Sequence, residues 1–158
     1  MFKCMGLLRD LELLKSRLEL VRESCVKAVL LFGSRARGEH GERSDADLLV
    51  LHEGCGISDI VMRRRYLYNA LREALGEVFE DITLIDMELG DFLKPREVSS
   101  LLLNIYWDAV VVYDKTGAIE DFLKRVRGRI MESGLKRIRE GKGYYWELPK
   151  PMEEVRIL

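Results

Sequence analysis

The chain has 158 residues, a formal net charge of −1, and 47% apolar and 34% charged residues. That length suits about one domain with a real core, and the composition is that of a soluble globular protein, which excludes a disordered or fibrous chain. A net charge this close to zero gives no overall argument for a nucleic-acid binder.

Met1 to Leu14 is broken by Arg9, Asp10 and Glu12, so it reads neither as a signal peptide nor as a membrane span, and no other stretch approaches spanning length. Leu7 to Glu23 reads as an amphipathic helix, because Leu7, Leu11, Leu14, Leu18 and Val21 recur at helical spacing with charges between them. It is expected to pack on a sheet and to carry no chemistry. Cys4, Cys25 and Cys55 are odd in number and lack zinc-site spacing. They are expected as reduced thiols of a cytoplasmic protein.

Val26 to Phe32 is an apolar run of strand length that stops at Gly33-Ser34. Glycine lets the backbone approach a ligand closely, and serine adds a hydroxyl donor. A helical turn starting there aims free N–H groups at a phosphate. Arg35 and Arg37 add positive charge, and Gly38 ends the turn. Taken alone, the pair also suits an ordinary strand-to-helix turn with Ser34 as N-cap.

Asp45-Ala46-Asp47 opens the apolar run Leu48 to Leu51. In a strand, residues two apart share a face, so Asp45 and Asp47 sit side by side. Carboxylates this close repel, a cation relieves the repulsion, and hard oxygen ligands favour Mg²⁺ or Mn²⁺. Alone, the pattern also suits a solvated acidic strand start or a turn at Ser44 and Asp45. His40 reads as a solvated loop histidine and His52 as the exit of the second strand.

Ser58 or Asp59 is suited to cap a helix over Ile60 to Leu75, which Gly76 ends. Arg63-Arg64-Arg65 lies on its first half. It reads as a solvated face, with contact to a nucleotide or an acidic partner as the alternative. Val78 to Asp86 is the third predicted strand. Its period of two puts Glu80 and Asp86 on the face opposite Asp81. Val98 to Trp107 follows as a short helix, Ala109 to Tyr113 as a strand, and Ile119 to Ile138 as a long helix; the basic stretch 124–142 overlaps it and reads as a solvated face, with the lining of a nucleotide cleft or contact with an acidic partner as the alternative. In the tail, Tyr144-Tyr145-Trp146 is expected to pack back on the domain or to bury in a partner. The sum is an α/β (α+β) protein: a small mixed sheet with helices on one face. It forms a single domain over 1–140, with a core motif region at 26–113 and a C-terminal helix at 118–140, followed by a tail at 141–158.

Gly33-Ser34, ten residues, then Asp45-x-Asp47 and an apolar strand resembles the minimal nucleotidyltransferase family of the DNA polymerase β-like superfamily. The intervening Arg35-Ala36-Arg37-Gly38 and Ser44 also look like that family, and the resemblance covers about Val26 to Tyr113. It implies a polymerase β palm-like fold. It also implies that Gly33, Ser34 and Arg35 bind the triphosphate of ATP or another NTP. Asp45 and Asp47 would hold two Mg²⁺ ions, with Mn²⁺ as the alternative. The family's third carboxylate matches Asp81 best, as a metal ligand that helps deprotonate the acceptor hydroxyl. Small members of the family pair with an all-helical HEPN-type partner as the antitoxin of a toxin–antitoxin system, and some add AMP to a tyrosine of that partner. The alternatives are a small-molecule acceptor such as an aminoglycoside, or a module that masks a partner without turnover. An oligomer stays open.

Overall fold

The computed structural model describes the backbone of residues 2–39 and 45–158. His40 and Ser44 lie outside the described residues. In chain order the elements are helix α1 (Phe2–Leu18), strand β1 (Val26–Phe32), a short α2 (Gly33–Ala36), β2 (Ala46–His52), α3 (Ile60–Leu75), β3 (Ile82–Glu88), α4 (Leu89–Leu93), α5 (Ser100–Asp108), β4 (Val110–Asp114), α6 (Ile119–Glu132), β5 (Lys136–Glu140) and β6 (Gly143–Glu147). The main sheet has the order β3-β2-β1-β4. Strand β1 is antiparallel to both β2 and β4, whereas β2 and β3 are parallel. The mixed sheet expected from the sequence is therefore present.

Its covering differs from expectation, because helices lie on both faces. Val29, Leu31, Leu48 and Val50 pack with Leu14 and Leu18 of α1 and with Leu67, Leu71 and Leu75 of α3. On the other face Ala28, Leu30, Leu49 and Leu51 pack with Phe92, with Ile105 and Tyr106 of α5, and with Phe122 and Leu123 of α6. The reason is in the strands. Runs such as VKAVLLF and DLLVL are apolar at consecutive positions, and a strand apolar on both sides needs cover on both sides. Each fully buried leucine contributes on the order of 2–3 kcal/mol. An irregularity in the β1–β2 pairing between Val26 and Ala28 shifts the alternation there.

Several boundaries also move. The chain turns after Leu18, with Leu20 and Val21 N–H bonded to the Arg17 and Leu18 carbonyls, so Val21 reaches the core from a turn. The third strand starts at Ile82 instead of Val78. Arg72 donates to the Phe79 and Glu80 carbonyls at 3.0 and 3.3 Å, which holds that stretch as a loop. The last long helix ends at Glu132, and Ile138 belongs to a strand. Gly134 has φ +82, a left-handed geometry that terminates a helix. Residues 136–147 form a hairpin in which Arg137 pairs with Trp146 and Arg139 with Tyr144, and the Tyr144-Tyr145-Trp146 run is its second strand.

The expectation for two of the cysteines is corrected as well; the Cys4 side chain lies outside the described residues. Cys25, just before β1, and Cys55, in the loop after β2, form a disulfide. Their spacing gave no metal-site signal, and adjacent antiparallel strands bring them together at one end of the sheet. Among the described residues no helix is long and apolar enough to cross a membrane.

Candidate active site

At the opposite end of the sheet, β1 runs into α2 and β2 begins. Gly33 has φ +71, and a methyl group added to it would overlap Asp47 Oδ2 and lie 3.1 Å from Asp47 Cγ. Only glycine lets the backbone turn here while the carboxylate packs against it. The turn itself is closed by Arg37 N–H on the Gly33 carbonyl (3.3 Å), Gly38 N–H on that of Arg35 (3.1 Å) and Glu39 N–H on that of Ser34 (2.9 Å). In a turn this short the first N–H groups, at Ser34 to Ala36, have no helical acceptor. Phe32 occupies the cap position without a capping side chain, so Ser34 is not the N-cap.

Ala46, Leu48 and Val50 face the α1–α3 core, and Leu49 and Leu51 the other. By alternation Asp45 and Asp47 share the second face, next to each other. Asp47 is half-buried. Burial first, and then the neighbouring Asp45 charge, raise its carboxyl above the usual range, while Arg37 and Arg35 pull the other way. No described side chain hydrogen-bonds to Asp47. Asp45 is exposed and accepts a bond from the Thr83 hydroxyl at 3.2 Å.

Asp81 stands just before β3. The parallel register sets Ala46 opposite Ile82 and Asp47 opposite Thr83, and the Ala46 N–H donates to the Asp81 carbonyl at 3.1 Å. Asp81 is thus beside Asp45, one strand over. Its own side chain is exposed, and among the described residues no group of three or more acidic, His or Cys side chains gathers to hold a metal. Asp86 points to the opposite face of the sheet, where Arg63 and Arg64 of α3 meet it.

Arg35, grouped with the phosphate turn by sequence, is buried. Its Nη1 lies 2.9 Å from Asp10 Oδ2 on α1, and its guanidinium sits 5.0 Å above the Phe79 ring. It forms part of the wall, and its charge still acts on Asp47. Two features escaped the sequence reading: Thr83, and a cluster beside the turn formed by Arg37, Glu39, Asp108, Arg137 and Tyr144. Thr83 follows Asp81 by two positions, so strand alternation was the available signal. For the cluster the signal was the Glu140-Gly141-Lys142-Gly143 turn between two five-residue runs.

A nucleotidyltransferase domain model matches residues 11–136, most of the chain and both halves of the motif. The chain belongs to the nucleotidyltransferase domain family. The β5–β6 hairpin and the tail lie at or beyond the end of the matched region. Among solved structures, a protein assigned as a nucleotidyltransferase from Sulfolobus solfataricus is 22% identical with a TM-score of 0.47, over 70% of this chain and 86% of that one. A toxin–antitoxin complex with AMP-PNP is 22% identical with a TM-score of 0.43, over 84% and 87%. A mutant of the toxin–antitoxin MntA-HpeT is 18% identical with a TM-score of 0.43, over 75% and 85%. No curated protein matches the chain significantly.

The donor set fits a divalent cation. Two adjacent carboxylates, one of them half-buried and without a side-chain hydrogen bond among the described residues, carry a charge that Arg37 and Arg35 offset only in part. Oxygen ligands of this type select Mg²⁺ or Mn²⁺ over softer metals.

Proposed function

We propose that this nucleotidyltransferase transfers AMP from ATP to a hydroxyl, a tyrosine of a helical HEPN-type partner protein, as the antitoxin of a toxin–antitoxin pair. The observation that carries the nucleotidyl-transfer site is the contact between Gly33 and the Asp47 carboxylate. It sets the phosphate turn directly against the acidic pair. The partner class rests on the motif Gly33-Ser34-x10-Asp45-x-Asp47, which resembles the family whose members act on such partners. Asp45 and Asp47 would hold Mg²⁺ or Mn²⁺, with Asp81 as the third ligand. Bound there, the two ions would offset negative charge on the attacking and leaving oxygens.

The chain's own groups do the rest. The backbone at Gly33 and the Ser34 hydroxyl grip the β- and γ-phosphates, where charge accumulates as pyrophosphate leaves. The Arg35 charge, fixed by Asp10, adds to the positive potential of that turn. Asp81 accepts the proton of the acceptor hydroxyl as its oxygen attacks the α-phosphorus. The site works in the cytoplasm, where NTPs are made. The Cys25–Cys55 bridge is then an intracellular disulfide, of a kind that reducing cytosols seldom keep. A small-molecule acceptor is the second reading.

The test is transfer of label from α-³²P-ATP with Mg²⁺ in a lysate of the source cells, comparing wild type with Asp47→Asn. The expected result is one labelled protein band with the wild type and at least a roughly hundredfold loss with the variant. Equal labelling by both would remove Asp47 from the reaction. Label only in small molecules would move the acceptor to the second reading.

A further inference from the structure

We propose that Tyr144, on the C-terminal hairpin, is a positioning residue that fixes the phosphate turn against the acidic pair. The inference rests on the nucleotidyl-transfer reading of that site. Residues 35–44 connect Ser34 to Asp45, and the described part of that connection is held on both sides. On its inner side, the Arg37 and Glu39 N–H groups bond the carbonyls of Gly33 and Ser34. On its outer side, the side chains of the same two residues are gripped by the hairpin and the end of α5.

The grip is specific. Arg37 Nη1 lies 3.2 Å from Asp108 Oδ2, and Arg37 Nε 3.1 Å from Glu39 Oε2. Asp108 also takes Arg137 Nη1 at 2.8 Å. The Tyr144 ring stacks under the Arg137 guanidinium at 3.9 Å and the Arg37 guanidinium at 4.9 Å. Its hydroxyl donates to Glu39 Oε1 at 2.8 Å. Tyr144 therefore touches two of the three residues whose backbones close the turn, Arg37 through its ring face and Glu39 through its hydroxyl. The hairpin is seated independently of it. Asn104 of α5 accepts from Trp146 Nε1 at 2.9 Å, and Trp146 packs edge-on against Trp107. Loss of the Tyr144 ring should loosen the turn without releasing the hairpin.

The experiment measures two things on the full chain: label transfer at varied ATP, and hydrogen exchange of the amides at 33–39 and 45–47. Tyr144→Ala is expected to lower kcat by about tenfold with little change in KM, and to speed exchange in those amides. Tyr144→Phe keeps the ring stack, loses the Glu39 bond, and should fall between. Tyr145→Ala, on the hairpin's other face with a hydroxyl that bonds only Glu147 among the described residues, should match wild type in both measurements. Unchanged exchange at 33–39 in Tyr144→Ala, or loss in Tyr145→Ala equal to that in Tyr144→Ala, would overturn the proposal. Wild type without any transfer would instead defeat the functional reading, and the exchange data would still decide whether Tyr144 holds the turn.

Discussion

Two strand aspartates face opposite sides of the sheet, and the molecule treats them oppositely. The side chain of Asp86, on β3, is buried, and its carboxylate lies 3.1 Å from His52 Nε2, 2.8 Å from Arg63 Nε and 2.9 Å from Arg64 Nε. Burial opposes its charge, but the two arginines outweigh burial and hold its carboxyl below the usual range. Asp47, on β2, is half-buried against Asp45 and is pushed above that range. The first charge is satisfied by the protein itself. The second is offset only in part, by the Arg37 and Arg35 charges. A carboxylate in a strand points to chemistry when its charge is uncompensated, and to architecture when donors surround it.

Gly33→Ala breaks the contrast at its most sensitive point. The added methyl overlaps the Asp47 carboxylate at a backbone φ of +71. Transfer should fall by about a hundredfold or more, because small displacements of reacting groups are costly. Stability should fall by about 1–2 kcal/mol, read from urea melts. Full turnover in that variant would show that the phosphate turn need not touch Asp47.

Asp86→Asn should do the reverse. Loss of the buried charge leaves Arg63 and Arg64 facing a neutral amide. Because both arginines keep some solvent contact, about 2–3 kcal/mol of stability is expected to go, with transfer by the folded protein within about twofold of wild type. The two carboxylates also differ in the sign of their pH dependence. The lowered carboxyl of Asp86 contributes stability that is present above the unfolded value, near pH 4, and lost as pH falls below it toward the folded value. Denaturation at stepped pH should therefore show wild type losing its advantage over Asp86→Asn in that acid range. The raised carboxyl of Asp47 works the other way: its ionisation costs stability as pH rises through the folded value. Asp47→Asn, expected to lose transfer, should be at least as stable as wild type at neutral pH.

The acidic pair, the glycine turn and α3 were legible because local rules govern them. Alternation alone puts Asp45 and Asp47 on one face, and Asp59 and Gly76 bound α3 as cap residues should. The two-sided sheet was legible in principle, since consecutive apolar residues in β1 and β2 demand two covers. The hairpin was misread because Ile138 falls in step with the helical spacing of Ile130 and Val126, and periodicity does not mark where one element ends and another begins. Arg35 was assigned by its neighbours in sequence, but its rotamer is set by Asp10 on α1, a contact 25 residues away that no local rule encodes. The pairing of Cys25 with Cys55 has the same origin, because strand register across 30 residues decides it.

The smallest expected effect concerns the hydroxyl on Asp45. Thr83 lies opposite Asp47 in the β2–β3 register and donates to Asp45 Oδ2 at 3.2 Å. Valine has nearly the same shape and suits a strand as well, so Thr83→Val removes the donor and little else. Stability should stay within about 0.5 kcal/mol on an exposed strand position. Transfer should fall only a few-fold, in keeping with the roughly 1 kcal/mol worth of one neutral hydrogen bond. A loss as large as that of Gly33→Ala would make Thr83 a contact of the bound nucleotide instead of a support for Asp45. No loss at all would mean that Asp45 needs no orienting partner from β3. The choice of partner is what distinguishes the two ends of this sheet. Two arginines neutralise Asp86, whereas a neutral hydroxyl can orient Asp45 and still leave its charge available to a cation.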